Sequence, residues 1–412
     1  MHFRNTIYRV ALERNWVETQ DDQYNFAWLE KYELAEAYKK NAALINSKNF
    51  YINHFQNHQV ITRKDLLAMN INKTLRFLHK FSPKLLNAFA IMPETFILPQ
   101  NWSQFQQKKD NQTTYIVKPA NRAQGKGIFM AKYFEIQDWY KQDYPEICKQ
   151  AEALDFKLDF KLEESNIKSG LQLYLVQKYI HNPLLINQHK FDLRLYVLVR
   201  SFQPLDIWIC RQGFARFALT KYEKSADPSA HLTNIAIQKH TNAYNKNLDG
   251  AKWTVQDLFE YMCNLTGEQN TRSAFRETEK LIVRILQIVA GQMNQNKCSF
   301  EVYGFDVMFD DELRVSLLEV NACPSLSADT AEDEILKKEM LHDAISIVVD
   351  GMGAEKQEFG CWHRIHQGVS VVINSELFRD GEDVALEKLD RGLCTGAVQL
   401  GDQVSRAKFL VQ

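Results

Sequence analysis

The chain has 412 residues, 45% of them hydrophobic and 12% aromatic, with a formal net charge of −1. This apolar content is enough for a substantial core, and the length favours two or three packed subdomains over one. The balanced charge gives no overall basic signature, so the sequence predicts no nucleic-acid partner and only local electrostatic steering.

The cysteines are odd in number, widely spaced and without a CxxC pair, which predicts a reduced intracellular protein without structural zinc. The first residues carry no apolar signal segment, and no run reaches the ~18 apolar residues of a membrane span. We therefore expect no membrane partner and a location in the cytoplasm or on the cytoskeleton.

Helical and strand patterns alternate along the chain and predict a mixed α/β (α+β) fold. Residues 1–77 mix aromatic and charged residues and predict a small N-terminal α/β lobe, in which Thr62 caps a helix. Two further subdomains are expected at 78–184 and 185–350, and residues 351–412 form a tail without an assigned structure. The clearest patterns are strands at 113–119, 174–180 and 191–199 and an amphipathic helix at 276–293.

Lys118 and Pro119 end a predicted strand, and the loop that follows contains Gly125, Lys126 and Gly127. A lysine at a strand end can reach a phosphate, and a Gly-x-Gly loop lets backbone N–H groups approach the same anion. The loop is neither a Walker A motif nor a dinucleotide fingerprint. Turn glycines beside solvated lysines would give the same pattern.

The next predicted strand ends at Gln177, Lys178, Tyr179 and Ile180. Such a strand end can offer an adenine one backbone donor, one backbone acceptor and apolar walls, although almost any strand end would qualify.

Lys190, Asp192 and Arg194 alternate with aliphatic residues and therefore share one face of a strand. Three charges on one face are costly to cover unless they meet a charged ligand or each other. A solvated face with cross-strand ion pairs is the alternative. The segment from Lys190 to Lys252 is locally basic, which suits an acidic peptide as well as a nucleotide.

An acidic hairpin is predicted over 301–309 and 313–321. Glu319 and Asn321 point to the same side of one strand, and Asp306 lies on the partner strand. Two carboxylates and an amide oxygen are hard ligands, and Mg²⁺ completes its shell with phosphate oxygens and water. Opposite Lys118 and Lys190, this set predicts a site for ATP with Mg²⁺. The alternative is that Asp306 caps a turn and Glu319 pairs with a lysine.

The ordered segments resemble the tubulin tyrosine ligase-like proteins over about residues 3–349, and most of all their ciliary tubulin polyglutamylase branch. The resemblance rests on the segments already described together with Gly213-Phe214-Ala215-Arg216-Phe217, His231-Leu232-Thr233-Asn234, Gly250-Ala251-Lys252-Trp253 and Ala322-Cys323-Pro324-Ser325-Leu326. It implies an ATP-grasp-type catalytic core, with 78–184 and 185–350 as its central and C-terminal subdomains.

The resemblance also implies a role for each matching position. Arg194 and Glu319 would be catalytic, and Asp306, Glu319 and Asn321 would bind magnesium. Arg216 and Lys252 would hold the incoming amino acid. The nucleotide would be held by Lys118, Gln124, Gly125, Lys126, Gly127, Gln177, Lys178, Tyr179, Ile180, Lys190, Asp192, Thr233 and Asn234.

The activity implied is ATP- and Mg²⁺-dependent ligation of free L-glutamate to glutamate side chains of the acidic C-terminal tail of tubulin, through an acyl-phosphate. The location implied is the microtubule cytoskeleton, in a cilium axoneme or basal body, and membership of a multi-subunit complex stays open. Gln124 resembles a residue of chain-elongating members, whereas Ala322 replaces a histidine that some of them carry. The alternatives are a glycine ligase, a ligase for a non-tubulin acidic protein, and a non-catalytic microtubule-associated subunit.

Overall fold

The computed structural model describes residues 6–19, 24–45, 49–122, 125–143, 173–222, 228–233, 252–293, 296–326 and 331–368. The helices are α1 (Thr6–Glu13), α2 (Leu34–Lys40), α3 (Gln59–Thr62), α4 (Lys64–Phe81), α5 (Leu86–Phe89), α6 (Trp102–Gln106), α7 (Tyr133–Asp143), α8 (Pro228–His231), α9 (Val255–Thr266), α10 (Glu268–Ala290) and α11 (Ala331–Val348), with a 3₁₀ turn at Pro83–Leu85.

The strands are β1 (Phe26–Ala27), β2 (Tyr51–Ile52), β3 (Thr95–Leu98), β4 (Thr114–Pro119), β5 (Phe129–Lys132), β6 (Tyr174–Lys178), β7 (Leu185–Ile186), β8 (His189–Phe202), β9 (Leu205–Cys210), β10 (Phe214–Phe217), β11 (Lys252–Thr254), β12 (Glu301–Phe309), β13 (Val315–Asn321), β14 (Glu358–Phe359) and β15 (Trp362–Gly368). The mixture of helices with largely antiparallel sheets agrees with the predicted mixed fold. None of the helices in the described ranges is both long and apolar enough to cross a membrane.

Two antiparallel sheets carry most of the structure. The smaller one has the strand order β3-β6-β4-β5. In the larger sheet the long strand β8 is central. One edge of β8 pairs with β12, which in turn pairs with β13. The other edge pairs with β10 at residues 191–194 and with β9 from residue 197 onward. β15 then extends the sheet beyond β9.

The alternation of β8 assigns its two faces as predicted, because each face joins a different core. Leu193 and Leu195 pack in a large core with Leu258 of α9 and Ile282 of α10. Tyr196 and Leu198 belong to a second core with residues of α1 and α11. The charged residues at the start of β8 share the face of Tyr196 and lie beyond the end of that second core.

The predicted hairpin is confirmed, with β12 and β13 paired in antiparallel register. The side chain of Asp310 shapes its turn by accepting hydrogen bonds from the amides of Glu312 and Arg314 at 3.0 and 2.9 Å. The helix expected at 276–293 begins earlier, at Glu268. It does so because Gly267, with φ of 90°, ends α9 and lets α10 start at the next residue.

The expectation that Thr62 caps a helix is wrong. Thr62 is the last residue of α3, where its hydroxyl donates to the carbonyl of His58 at 2.9 Å. The cap position of α4 belongs to Arg63, whose backbone is extended and whose side chain caps nothing. A threonine hydroxyl can bond back to the preceding turn as readily as forward, so the residue type alone did not fix the boundary.

Candidate active site

A cleft opens between the two sheets and collects most of the predicted site residues. The smaller sheet contributes Lys118 and the end of β6, and the larger sheet contributes β8, β12 and β13. The predicted residues that line it are Lys118, Gly125, Lys126, Gln177, Lys178, Tyr179, Ile180, Lys190, Asp192, Thr233, Asp306 and Glu319.

Two rows of residues cross the large sheet, and three of their six members, Asp192, Asp306 and Glu319, line this cleft. In the first row Glu319, Asp306 and Arg194 are direct neighbours on β13, β12 and β8. In the second row Asp192, Arg216 and Lys252 are neighbours on β8, β10 and β11. Residues directly opposite each other on paired strands point to the same side, so both rows lie on one face. Strand pairing, rather than proximity in the chain, assembles the charges.

Asp306 is the centre of an ion-pair network in the interior. Arg194 donates to its two carboxylate oxygens at 2.5 and 2.9 Å, and Arg216 approaches one of them at 2.9 Å. Burial alone would raise the pKa of Asp306, but Arg194 and Arg216 hold that pKa well below its usual range. Asp306 is therefore an anion at neutral pH, with two fixed cations beside it.

Gly304 makes room for this arrangement. A Cβ atom at Gly304 would lie 3.2 Å from Cδ of Arg194 and 3.0 Å from Cβ of Pro324. The side chain of Arg194 thus passes across β12 at the position where that strand has no side chain. A glycine two residues before Asp306 is what lets the guanidinium lie flat along the strand and reach the carboxylate.

The hairpin residues fit a divalent cation in their chemistry. The amide nitrogen of Asn321 lies 3.4 Å from oxygens of both Asp306 and Glu319, and the opposite amide orientation would present its oxygen instead. Among the described residues, no group of three or more His, Cys, Asp or Glu could hold a metal by itself. A cation here would therefore need phosphate oxygens or water to complete its shell.

A chain of hydrogen bonds orients Lys118. Its ammonium donates to the side-chain oxygen of Gln177 at 2.8 Å, and the Gln177 amide donates to Thr95 at 2.8 Å. Thr95 in turn donates to the carbonyl of Pro93 at 2.7 Å. Because the Thr95 proton is used there, its oxygen must accept, and this fixes the Gln177 oxygen toward the lysine. Burial lowers the pKa of Lys118 to about 8, with Glu319 opposing the shift.

Lys190 is 6% exposed and is held by Tyr179, the residue after β6, and by the last residue of α8. Its ammonium donates to the carbonyl of His231 at 2.8 Å and to the hydroxyl of Tyr179 at 3.1 Å. Burial lowers the pKa of Lys190 to about 7, with Asp192 opposing the shift and Lys118 adding to it. One buried and one half-buried lysine with lowered pKa values on opposite walls are the electrostatic pattern expected of an anion site.

The loop after β4 takes the shape that its glycines permit. Gly125 and Gly127 have φ angles of 74° and 75°, in the left-handed region that glycine adopts without cost. The amide of Ile128 donates to the carbonyl of Gly125 at 3.2 Å, which closes a tight turn. Gln124 and Asn234, both predicted to bind nucleotide, lie outside the described residues.

The two residues expected to hold an amino acid are cross-strand neighbours. Arg216 makes a fork to Asp192 at 2.9 and 2.5 Å and also reaches Asp306. Its Nη1 has no hydrogen-bond partner among the described residues, so one end of the guanidinium is available. Lys252 lies opposite Arg216 and donates to Asp333 at 2.8 Å. A capping box between Thr254 and Asp257 starts α9 two residues later and fixes this strand end.

Most of the predicted site residues therefore lie in the cleft or contact a residue that lines it. Arg194, Arg216 and Asn321 do not line the cleft themselves but contact Asp306, which does. Gly127 supports the loop, and Lys252 lies one strand beyond. The alternative of cross-strand ion pairs is also realised, although these pairs are buried rather than solvated. Asp306 does not cap the turn, because Asp310 does, whereas Glu319 does pair with a lysine, Lys64.

Sequence reasoning missed Lys64. It is the first residue of α4, lines the cleft and lies 3.0 Å from Glu319. One feature of the sequence could have indicated a role for it. A lysine in the first turn of a helix is unfavourable, because its charge opposes the helix dipole. Arg122, His231 and Met308 also line the cleft and were not predicted.

Comparison with protein families agrees with this geometry. The model described as "Tubulin-tyrosine ligase family" matches residues 43–357, which is most of the chain and includes every described residue of the cleft. The chain therefore belongs to the tubulin-tyrosine ligase family, as the sequence motifs predicted, and the expectation of a ligase is confirmed.

Individual members of the family also match most of the chain. The chain is 35% identical over 351 residues to "Probable tubulin polyglutamylase ttll-9" of Caenorhabditis elegans, covering 84% of this chain and 78% of that protein. It is 34% identical over 361 residues to the bovine "Probable tubulin polyglutamylase TTLL9", covering 84% and 77%. It is 32% identical over 353 residues to "Probable alpha-tubulin polyglutamylase Ttll1" of Tetrahymena thermophila, covering 82% and 81%.

Proposed function

We propose that the protein is an ATP- and Mg²⁺-dependent tubulin polyglutamylase with an ATP-grasp-type core. The observation that carries the proposal is the pair of rows on the large sheet. They place an anionic hairpin suited to a dication beside Arg216 and Lys252, which suit a carboxylate. The names of the relatives support tubulin as the acceptor and glutamate as the amino acid.

The nucleotide is proposed to lie between the two sheets. Lys118 and Lys190 approach its phosphates from opposite walls, and Lys126 and Lys64 add charge at the open side. At the end of β6, the amides of Lys178 and Tyr179 are engaged with Glu94 and Thr114. The amide of Ile180 has no partner among the described residues, and we assign it as the donor to adenine. Gln124, Gly125, Gly127, Asp192, Thr233 and Asn234 complete the proposed nucleotide set.

Asp306, Glu319 and Asn321 are proposed to hold magnesium, which when bound supplies positive charge where phosphoryl charge develops. In the proposed reaction a glutamate carboxylate of the tubulin tail attacks the γ-phosphate, which gives an acyl-phosphate and ADP. The amine of free L-glutamate then attacks the acyl carbon, an amide forms and phosphate leaves.

This chain's own residues supply fixed cations for a reaction among anions. Arg194 is held along β12 by two hydrogen bonds to Asp306, and a positioned cation of this kind suits an electrostatic stabiliser. Arg216 keeps its Nη1 edge for a carboxylate of the amino acid, and Lys252 offers a second cation beside it. The proposed location is the microtubule cytoskeleton of a cilium or basal body, and a partner complex is compatible with this role.

The test is incorporation of labelled amino acids into tubulin. Wild-type protein with ATP, Mg²⁺ and tubulin should incorporate glutamate, and Glu319→Gln should abolish incorporation while the protein stays folded. Glu312→Gln is the matched control, because Glu312 lies in the turn of the same hairpin and its ion pair among the described residues is with exposed Arg314.

Each other outcome names a different function. Incorporation of glycine instead of glutamate would replace the substrate, and incorporation into another acidic protein would replace the acceptor. Microtubule binding without ATP turnover would indicate a non-catalytic subunit. Full activity of Glu319→Gln would remove the metal assignment.

A further inference from the structure

Two lysines share one carboxylate next to the proposed amino-acid site. The ammonium groups of Lys252 and Lys337 lie 2.8 and 3.0 Å from the same oxygen, Oδ2 of Asp333. Lys252 comes from β11, and the other two residues lie one turn apart at the start of α11. The three residues, which we name the Asp333 cluster, carry a net charge of +1.

The members of the cluster differ in exposure. The side chains of Asp333 and Lys337 are 3% and 5% exposed, whereas that of Lys252 is 25% exposed. The ammonium of Lys252 also lies 3.6 Å from the ring centroid of Phe214. Lys252 is therefore held between a carboxylate and an aromatic face, remains partly exposed, and is the cross-strand neighbour of Arg216.

Because Asp333 is buried, its charge acts strongly on both lysines. Burial alone would raise the pKa of Asp333, but the hydrogen bonds and charges of Lys252 and Lys337 keep it below its usual range. A buried carboxylate interacts strongly with each cation it touches, because the surroundings screen weakly. If Lys252 were its only partner, the carboxylate would cancel the charge of Lys252. With Lys337 present, the charge of Asp333 is divided between the two lysines, so it compensates the charge of Lys252 only in part.

We propose that Lys337 is a positioning residue for amino-acid binding: by sharing Asp333, it leaves Lys252 with uncompensated positive charge for the carboxylate of the incoming amino acid. This inference rests on the proposed function, in which Lys252 and Arg216 hold that amino acid. Lys337 itself is buried and does not touch the substrate.

The experiment compares substitutions at the two ends of the cluster in the full chain, with tubulin, ATP and L-glutamate. Lys337→Met should raise the KM for glutamate on the order of tenfold, the size of one weakened charge-assisted contact, and leave the KM for ATP unchanged. The double variant Asp333→Asn/Lys337→Met should recover much of the affinity for glutamate, because the anion that neutralises Lys252 is gone.

Controls separate this role from a structural one. Lys337→Arg keeps the charge and should keep the glutamate KM near the wild-type value. Lys338→Met changes the neighbouring lysine, which is 39% exposed and pairs with Glu13, and should have no effect. Thermal denaturation of each variant reports any loss of folding.

The possible results distinguish a failure of the Lys337 inference from a failure of the proposed function. If wild-type protein ligates glutamate but Lys337→Met leaves its KM unchanged, or the double variant is as impaired as the single one, the inference is overturned alone. If wild type ligates another amino acid, the same comparison is made with that amino acid. Wild-type protein that ligates none overturns the proposed function, and this inference with it.

Discussion

Lys64 and Glu319 form an ion pair of 3.0 Å that joins the first residue of α4 to β13, the second strand of the hairpin. The same ammonium lies 3.4 Å from the carbonyl of Arg122, in the loop after β4. One side chain from the N-terminal part of the chain therefore contacts both walls of the cleft. The Lys64 ammonium thus lies next to Glu319, in the region where phosphate and magnesium are proposed to bind.

Replacement of Lys64 should weaken nucleotide binding. Lys64→Ala removes one positive charge from the cleft, and we expect the Kd for ATP to rise on the order of tenfold, as for one charge-assisted contact. Isothermal titration with a non-hydrolysable ATP analogue measures this. Lys73→Ala on an exposed position of the same helix is the control. Equal Kd values for the two variants would leave Lys64 with a structural role only.

Arg216 tests the separation of the two substrate sites. Arg216→Lys keeps the charge but loses the fork that Asp192 accepts, so we expect a stability loss of about 1–3 kcal/mol and a higher KM for glutamate. Arg211→Lys is the control, because Arg211 pairs with Glu358 away from the cleft. A collapse of ATP affinity with an unchanged glutamate KM would assign Arg216 to the nucleotide instead.

The affinity for ATP should fall as the pH rises above neutrality. Phosphate binds the charged form of Lys190, whose pKa in the free protein is lowered by burial to about 7. Above that pH the lysine must take up a proton to bind, so binding near pH 8 should be accompanied by uptake of up to about one proton at Lys190 and a further fraction at Lys118, whose pKa is about 8. Calorimetry in buffers of different ionisation enthalpy measures the uptake. Lys190→Met should bind more weakly and take up about one proton fewer than wild type, with the remaining uptake coming from Lys118; an unchanged uptake in that variant would contradict the assignment.

A second pH effect concerns stability and lies away from the cleft. His54 and Glu301 form a buried pair at 2.8 Å, and although burial would lower the pKa of His54, the charge of Glu301 raises it to about 10. A raised folded-state pKa means that the stabilisation is fully present below about pH 6.5 and is lost as the pH rises toward 10. The Tm should therefore decline between pH 7 and 10.

Substitution of Glu301 isolates that effect. Glu301→Gln leaves a buried histidine without its anion and should cost about 3–5 kcal/mol near neutral pH, with a smaller decline of Tm at higher pH. Glu36→Gln removes an exposed pair with Lys40 and should change the Tm little. If Glu301→Gln kept the full decline of Tm, another group would be responsible.

Local sequence patterns predicted much of the fold. The alternation along β8 assigned both faces correctly because one face is apolar without interruption. The hairpin was predicted because two apolar runs flank Asp310 and its polar neighbours. Helix boundaries were less accurate, since the start of α10 depends on the backbone angle of Gly267 and not on an apolar stripe.

The candidate site was predictable where one strand carries several of its residues, as with Lys190, Asp192 and Arg194. It was less predictable where strands far apart in the chain meet. The network around Asp306 depends on the pairing of β8 with β10 and β12, which no local pattern states. The contribution of Lys64 depends on how α4 packs against the hairpin, and so it was missed.

The last strand of the large sheet has a practical consequence for where the protein can be cut. The family match ends at residue 357, whereas Trp362–Gly368 pairs along β9, and the indole of Trp362, fully buried, donates to the carbonyl of Met340. Truncation at the family boundary would bare the apolar edge of Leu205–Cys210 and invite edge-to-edge association of fragments. A soluble minimal enzyme should therefore extend at least through Gly368.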